Sequence, residues 1–175
     1  MRAIFLTAGI VIVQRILELR LAKQNQNWSL AHGAKEYGAA HYPLFFILHP
    51  GWMLAWMVEA VLRGARLSRV WWLWLTLFAA AQGLRYWAIT SLGRFWNTRI
   101  LVIPDVQLVR TGPYRFLPHP NYLAVAIELA AVPMLFGAWL TAFVAGVLNA
   151  ALLLGLRIPA EEAALRALEE HASKK

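Results

Sequence analysis

NYLAVAIELAAVPMLFGAWLTAFVAGVLNAALLLGL, residues 121–156, is the stretch that decides the fold. It carries a single charged side chain, Glu128. As one helix it would run about 54 Å at 1.5 Å per residue. That is nearly twice the ~30 Å hydrocarbon core of a bilayer. Pro133 and Gly137 lie mid-block, where a helix breaks. The block therefore reads as a tight helical hairpin turning near residues 136–138. Working outward, residues 3–22, 43–62 and 70–91 are each apolar over roughly the 20 residues that a spanning helix needs. The expectation is an all-α integral membrane protein of about five transmembrane helices, the last two forming the hairpin.

Composition agrees. Of 175 residues, 60% are hydrophobic, nine are tryptophan and only 15% are charged, well under the usual quarter for a soluble domain. One domain is expected at this length. No N-terminal signal peptide is read, because Gln14, Arg15 and Glu18 follow the apolar residues 3–13 without a small-residue cleavage site. The absence of cysteine excludes a thiol nucleophile, a disulfide framework and thiolate metal sites, and no metal is expected. The net charge of +8 does not indicate nucleic acid, because the basic residues sit at the ends of apolar segments. With five spans, Lys23, Lys35, Arg94, Arg99, Arg110, Arg115, Arg157, Arg166, Lys174 and Lys175 share one side. Arg2, Arg63, Arg66 and Arg69 share the other. The richer side is cytoplasmic by the positive-inside rule, so the N-terminus lies outside and the C-terminus inside.

Several polar groups interrupt the apolar segments. Arg15 and Glu18 are three apart on the first helix, share a face and can pair. Arg85, with Gln82 three residues before it, should face the bundle or a polar cavity. Both a structural and a functional role are open to Arg85. The tail RIPAEEAALRALEEH, residues 157–171, reads as a short cytoplasmic helix with Pro159 in its first turn and Glu161 and Glu162 near its N-terminus.

Residues 92–120 form the only long connection without a clear helical period, and segments of that kind are usually functional or disordered. Phe95, Trp96, Ile100, Leu101, Val102, Ile103 and Tyr114 make this one too apolar for disorder. It ends in RTGPYRFLPHPNYL, residues 110–123. Gly112-Pro113 marks a turn. Pro118 and Pro120 stiffen the backbone around His119, and Asn121 is placed to cap the fourth helix. The hairpin returns to the same side at Arg157, bringing residues 119–122 close to 157–162. Cationic, anionic and aromatic groups then surround one cavity, suited to a ligand bearing an α-amino and an α-carboxylate group. A solvated tail helix and a satisfied loop histidine would explain the same residues.

LVRTGPYRFLPHPNYL, the apolar hairpin after it, RIPAEEAAL and Leu92-Gly93 together resemble the isoprenylcysteine carboxyl methyltransferase family over roughly residues 85–165. QRILELRLAKQN, EYGAAHYP and SLGRFWNT are similar to a small bacterial branch linked to type III polyketide synthases and O-methylation of alkylpyrones. This chain has Pro118 where the family pattern carries arginine, so that role is lost or passes to Arg115 or Arg99.

The resemblance implies S-adenosylmethionine as methyl donor and S-adenosylhomocysteine as product. It implies a three-helix part over residues 1–91, a cofactor-binding core over 92–165, and a place in a bacterial inner membrane with the site facing the cytoplasm. His119, Pro120 and Tyr122 would line the cofactor pocket, Gly112 and Tyr114 would shape its wall, and Glu161 and Glu162, with Arg157 beside them, would approach the methionine moiety. Methyl transfer from a sulfonium mainly requires holding the acceptor oxygen in line and excluding water. Arg85, Asn97, Arg99 and Glu128 are the candidates for that task, with Trp96 as a wall. The acceptor should be a lipid-like molecule among membrane lipids. An alkylpyrone or related polyketide lipid comes first, then a prenylated cysteine carboxylate or a phospholipid amine. A carrier would show repeats or paired broken helices, of which the sequence has only one broken hairpin.

Overall fold

The computed structural model describes residues 1–104 and 106–173, the last five as backbone only. Lys174 and Lys175, used above for orientation, lie outside the described residues. Three long helices and a hairpin make the frame: α1 (Arg2–Ala31), α2 (Tyr42–Leu62) and α3 (Trp71–Leu92), then α4 (Pro120–Leu135) and α5 (Trp139–Leu152). A π-helical turn, Leu153–Arg157, joins α5 to α6 (Ile158–Ser173). Strands β1 (Lys35–Tyr37) and β2 (Ile100–Val102) pair antiparallel, Glu36 opposite Leu101.

The hairpin turns where the sequence places it. Gly137 adopts φ 68°, and the carboxylate of Glu59 on α2 accepts the backbone N–H groups of Leu140 (3.1 Å) and Thr141 (2.8 Å). The start of α5 is thus capped from a neighbouring helix rather than from its own sequence. Trp52, Trp56, Ala60, Leu129, Val132, Leu135 and Phe136 form the core beneath that turn with Ile4, Ala8 and Val11. Trp56 stacks on Phe136 at 5.5 Å, and the Trp52 indole N–H donates to the Leu129 carbonyl.

The all-α class holds, with one short two-stranded ribbon added to it. Three expectations are corrected. The first helix runs through Ala31 rather than ending at residue 22, because hydropathy stops at Lys23 but helix propensity does not. Asn25 in that extension donates to the carbonyls of Gly93 (3.2 Å) and Trp96 (2.7 Å). The tail helix is continuous with α5 through the π turn. The residue flanking α4 is His119 rather than Asn121, with Pro120 as the first helical residue and no side-chain capping bond.

Polar groups share the interior with the apolar core, and the outer surface carries many large apolar side chains. The buried face of α1 reads Ile4, Ala8, Val11, Gln14, Glu18, Ala22, Asn25 and Ser29. Phe5, Leu6, Ile10, Val13 and Leu17 point outward, as do Phe46, Ile47, Leu54, Phe143 and Val147 on other helices. Two helices, Ala39–Leu62 and Trp139–Leu168, are long and apolar enough to cross a membrane, and Pro120–Leu135 is a shorter apolar helix.

Candidate active site

A cavity of about 390 Å³ opens between the 95–110 segment, the start of α4 and the π turn with α6. Pro118 and Pro120 leave His119 little backbone freedom, and its ring stacks on Tyr122 at 5.2 Å. Antiparallel return of the hairpin brings Arg157 opposite, and the π turn leaves that side chain buried, at 6% exposure. Single π turns inside α-helices often mark functional positions.

The three groups are joined through one hydroxyl. Tyr122 donates to the Glu161 carboxylate and accepts from Arg157 Nε at 3.0 Å. Arg157 Nη2 donates to the Thr98 carbonyl at 2.8 Å. His119 Nδ1 lies 3.6 Å from Glu161 and Nε2 lies 4.0 Å from Glu162. These are charge contacts rather than tight hydrogen bonds. The Glu161 carboxylate holds His119 above the ordinary histidine range, against burial and helped by Glu162. Burial, with the Glu161 charge adding to it, pushes the Tyr114 phenol up, so it stays neutral.

Gly112 does not line the cavity but fixes its wall. It has φ +59°, and a Cβ there would fall 2.0 Å from Ser91 Oγ and 2.8 Å from Ser91 Cβ. Gly112→Ala is therefore expected to lower the thermal midpoint in detergent, with at least the roughly 1–2 kcal/mol of a left-handed non-glycine residue. An unchanged midpoint would show that the 112–115 turn does not bear on α3.

The structure brings together Tyr114, His119, Pro120, Tyr122, Arg157 and Glu161 at this cavity, with Asn97 and Arg99 on its rim. Asn97 is engaged locally: its amide donates to the Ala22 carbonyl at 3.1 Å, and its oxygen accepts the Arg99 N–H at 3.0 Å. Arg99 pairs with Glu36 at 2.5 Å and lies over the Tyr42 ring. Glu162 stands half-exposed beside His119 and 3.5 Å from Arg166. Arg85 and Glu128 are placed elsewhere, in the helix bundle. There Arg15, Glu18, Arg85 and Glu128 alternate in a closed ring of ion pairs, to which Gln14 and Gln82 are hydrogen-bonded. Sequence reasoning missed Thr98, whose carbonyl holds Arg157, and Tyr42, whose hydroxyl meets Thr98 Oγ1 at 3.1 Å. No short-range pattern links positions so far apart.

The chain belongs to the isoprenylcysteine carboxyl methyltransferase family, whose model matches residues 74–167. It is similar to the uncharacterized protein YpbQ of Bacillus subtilis (strain 168), 40% identical over 97% of this chain and 99% of that protein. An uncharacterized protein of Haemophilus influenzae is 27% identical over 91% of this chain and 93% of its own length. No solved structure matches.

Proposed function

We propose that the protein is an S-adenosylmethionine-dependent membrane methyltransferase acting on an oxygen of a lipid-like acceptor, foremost an alkylpyrone or related polyketide lipid. One observation carries the reading: Tyr122 ties a buried cation, Arg157, to a carboxylate, Glu161, across the cavity. Among the described residues no carboxylate lies within 4 Å of Arg157, so its charge is open to an anionic group. Glu161 and Glu162 are open to an ammonium. An α-amino acid moiety presents both.

The cofactor supplies a methyl group on a positively charged sulfur. The chain would hold the moiety at its two charged ends, and the neutral Tyr114 phenol lines the same cavity as the apolar side chains of Trp96, Ile100 and Ile103. A dry enclosure of fixed dipoles favours in-line transfer. Five membrane-crossing helices, α1 to α5, with the cavity on the arginine- and lysine-rich cytoplasmic side, would let a cytosolic cofactor and a bilayer-borne acceptor meet there. The outward apolar side chains support that arrangement.

Calorimetry of S-adenosylhomocysteine with the detergent-purified protein tests the reading. Micromolar binding is expected, with weakening of about tenfold in Glu162→Ala, in line with one half-exposed charge-assisted contact. No binding to folded protein would sink it. Methyl-transfer assays with a 4-hydroxy-6-alkyl-2-pyrone, a prenylated cysteine and a phospholipid amine then decide the acceptor.

A further inference from the structure

The segment EYGAAHYP, residues 36–43, contains a histidine that nothing above uses. Gly38 adopts φ +61°, and a Cβ on it would lie 2.3 Å from Cε1 and 2.6 Å from Nε2 of His41. Only glycine lets the imidazole pack on the backbone at that point, so Gly38 sets the ring's position. Nε2 is enclosed and meets no hydrogen-bond partner among the described residues. An enclosed N–H without an acceptor is costly. The proton of the neutral ring therefore belongs on Nδ1, which has no hydrogen bond to any of the described residues.

His41 faces Arg157. It precedes α2, and Phe45 lies one turn further along on the same face. The Arg157 guanidinium sits 6.0 Å from the Phe45 ring centroid. Burial first, and then the Arg157 charge, hold His41 below the ordinary histidine range, so it is neutral. Glu36 is engaged with Arg99, and the Tyr42 hydroxyl with Thr98. Arg157 uses Nε and Nη2, leaving Nη1 with no hydrogen bond among the described residues. A buried guanidinium that reaches its carboxylate partner, Glu161, only through the Tyr122 hydroxyl can take an anion directly, and a neighbouring neutral N–H is a second donor to it.

We propose that His41 Nδ1–H and Arg157 Nη1 together bind a ligand oxyanion, which makes His41 a binding residue of the active site. The inference rests on the methyltransferase reading and adds a residue to its site. The oxyanion has two possible sources, the carboxylate of the cofactor's amino acid moiety or the ionised oxygen of an acidic acceptor.

Calorimetry on the wild type, His41→Gln and Gly38→Ala in detergent tests the proposal. Three probes are used: S-adenosylhomocysteine, its decarboxylated analogue, and a 4-hydroxy-6-alkyl-2-pyrone. The expected loss is roughly ten- to hundredfold, the worth of one hydrogen bond to a charged group. If S-adenosylhomocysteine weakens in His41→Gln and its decarboxylated analogue does not, the oxyanion is the cofactor's. If the pyrone weakens and S-adenosylhomocysteine does not, it is the acceptor's. Gly38→Ala should repeat either pattern by displacing the ring. Wild-type affinity of His41→Gln for all probes overturns the proposal, and so does equal loss with the decarboxylated analogue, which signals general distortion. A wild type that binds the pyrone but not S-adenosylhomocysteine sinks the methyltransferase reading alone, and His41 is then judged on the pyrone. A wild type that binds neither ligand overturns both.

Discussion

Arg85→Leu is expected to cost about 3–5 kcal/mol of stability, the penalty of removing one partner from a buried ion pair. Arg85 is 0% exposed and pairs with Glu128 at 2.7 Å and with Glu18 at 3.3 Å. Its loss leaves Glu18 and Glu128 sharing only Arg15, whose side chain is 25% exposed. The surroundings offer little else: the outward faces of these helices are apolar, and water cannot take over for a carboxylate there. The double variant Arg85→Leu with Glu128→Leu should recover most of the loss, because one glutamate and one arginine remain to balance each other. Denaturant unfolding in detergent, followed by tryptophan fluorescence, measures both. If Arg85→Leu unfolds like the wild type, the ring is not what ties α1, α3 and α4 together. If S-adenosylhomocysteine binding persists in a folded Arg85 variant while transfer is lost, Arg85 serves the acceptor as well.

That ring also marks the limit of what the sequence discloses. Arg15 and Glu18 are three apart on one helix, so their pairing is legible from spacing alone. The other pairs join α1 to α3, α1 to α4 and α3 to α4, and no local pattern registers contacts at separations such as 67 or 113 positions. The hairpin was legible because a bilayer limits helix length and Pro133 and Gly137 fall at the midpoint. Its antiparallel return then brought residues 119–122 toward 157–162 without further information. The ribbon was not legible: KEY and ILV are three-residue strands, too short for any alternation to speak. Nor was the π turn, which keeps α5 and α6 continuous where Pro159 suggested a fresh start. Asn97 and Arg99 read as acceptor groups because a cation or an N–H donor suffices to orient an anionic acceptor. The structure adds that both also brace the loop itself, a use that depends on partners at Ala22 and Glu36.

Glu161→Gln is expected to weaken S-adenosylhomocysteine binding by about 2–5 kcal/mol, the usual result of removing one side of a buried hydrogen-bonded charge pair. The glutamine keeps an oxygen for the Tyr122 hydroxyl but removes the charge that faces His119 at 3.6 Å and would face the ligand ammonium. The same change should alter the response to pH. In the wild type the Glu161 contact first, opposed by burial and aided by Glu162, raises His119 above 6.5. The imidazolium contact with the carboxylates therefore stabilises the ligand-free protein fully below 6.5, and that contribution is lost as pH rises through the raised value. Binding should run the opposite way. Protonated His119 occupies the carboxylates that the ligand ammonium needs, so affinity should climb across that same window as His119 deprotonates. In Glu161→Gln the raised value falls back, and the climb should flatten. His119→Asn should flatten it too, while leaving the high-pH affinity closer to that of the wild type. Calorimetry from about pH 6 to about pH 8.5 covers the range in which histidine charge changes. A wild-type affinity that stays level, or falls, as pH rises would show that His119 does not compete with the ligand for Glu161.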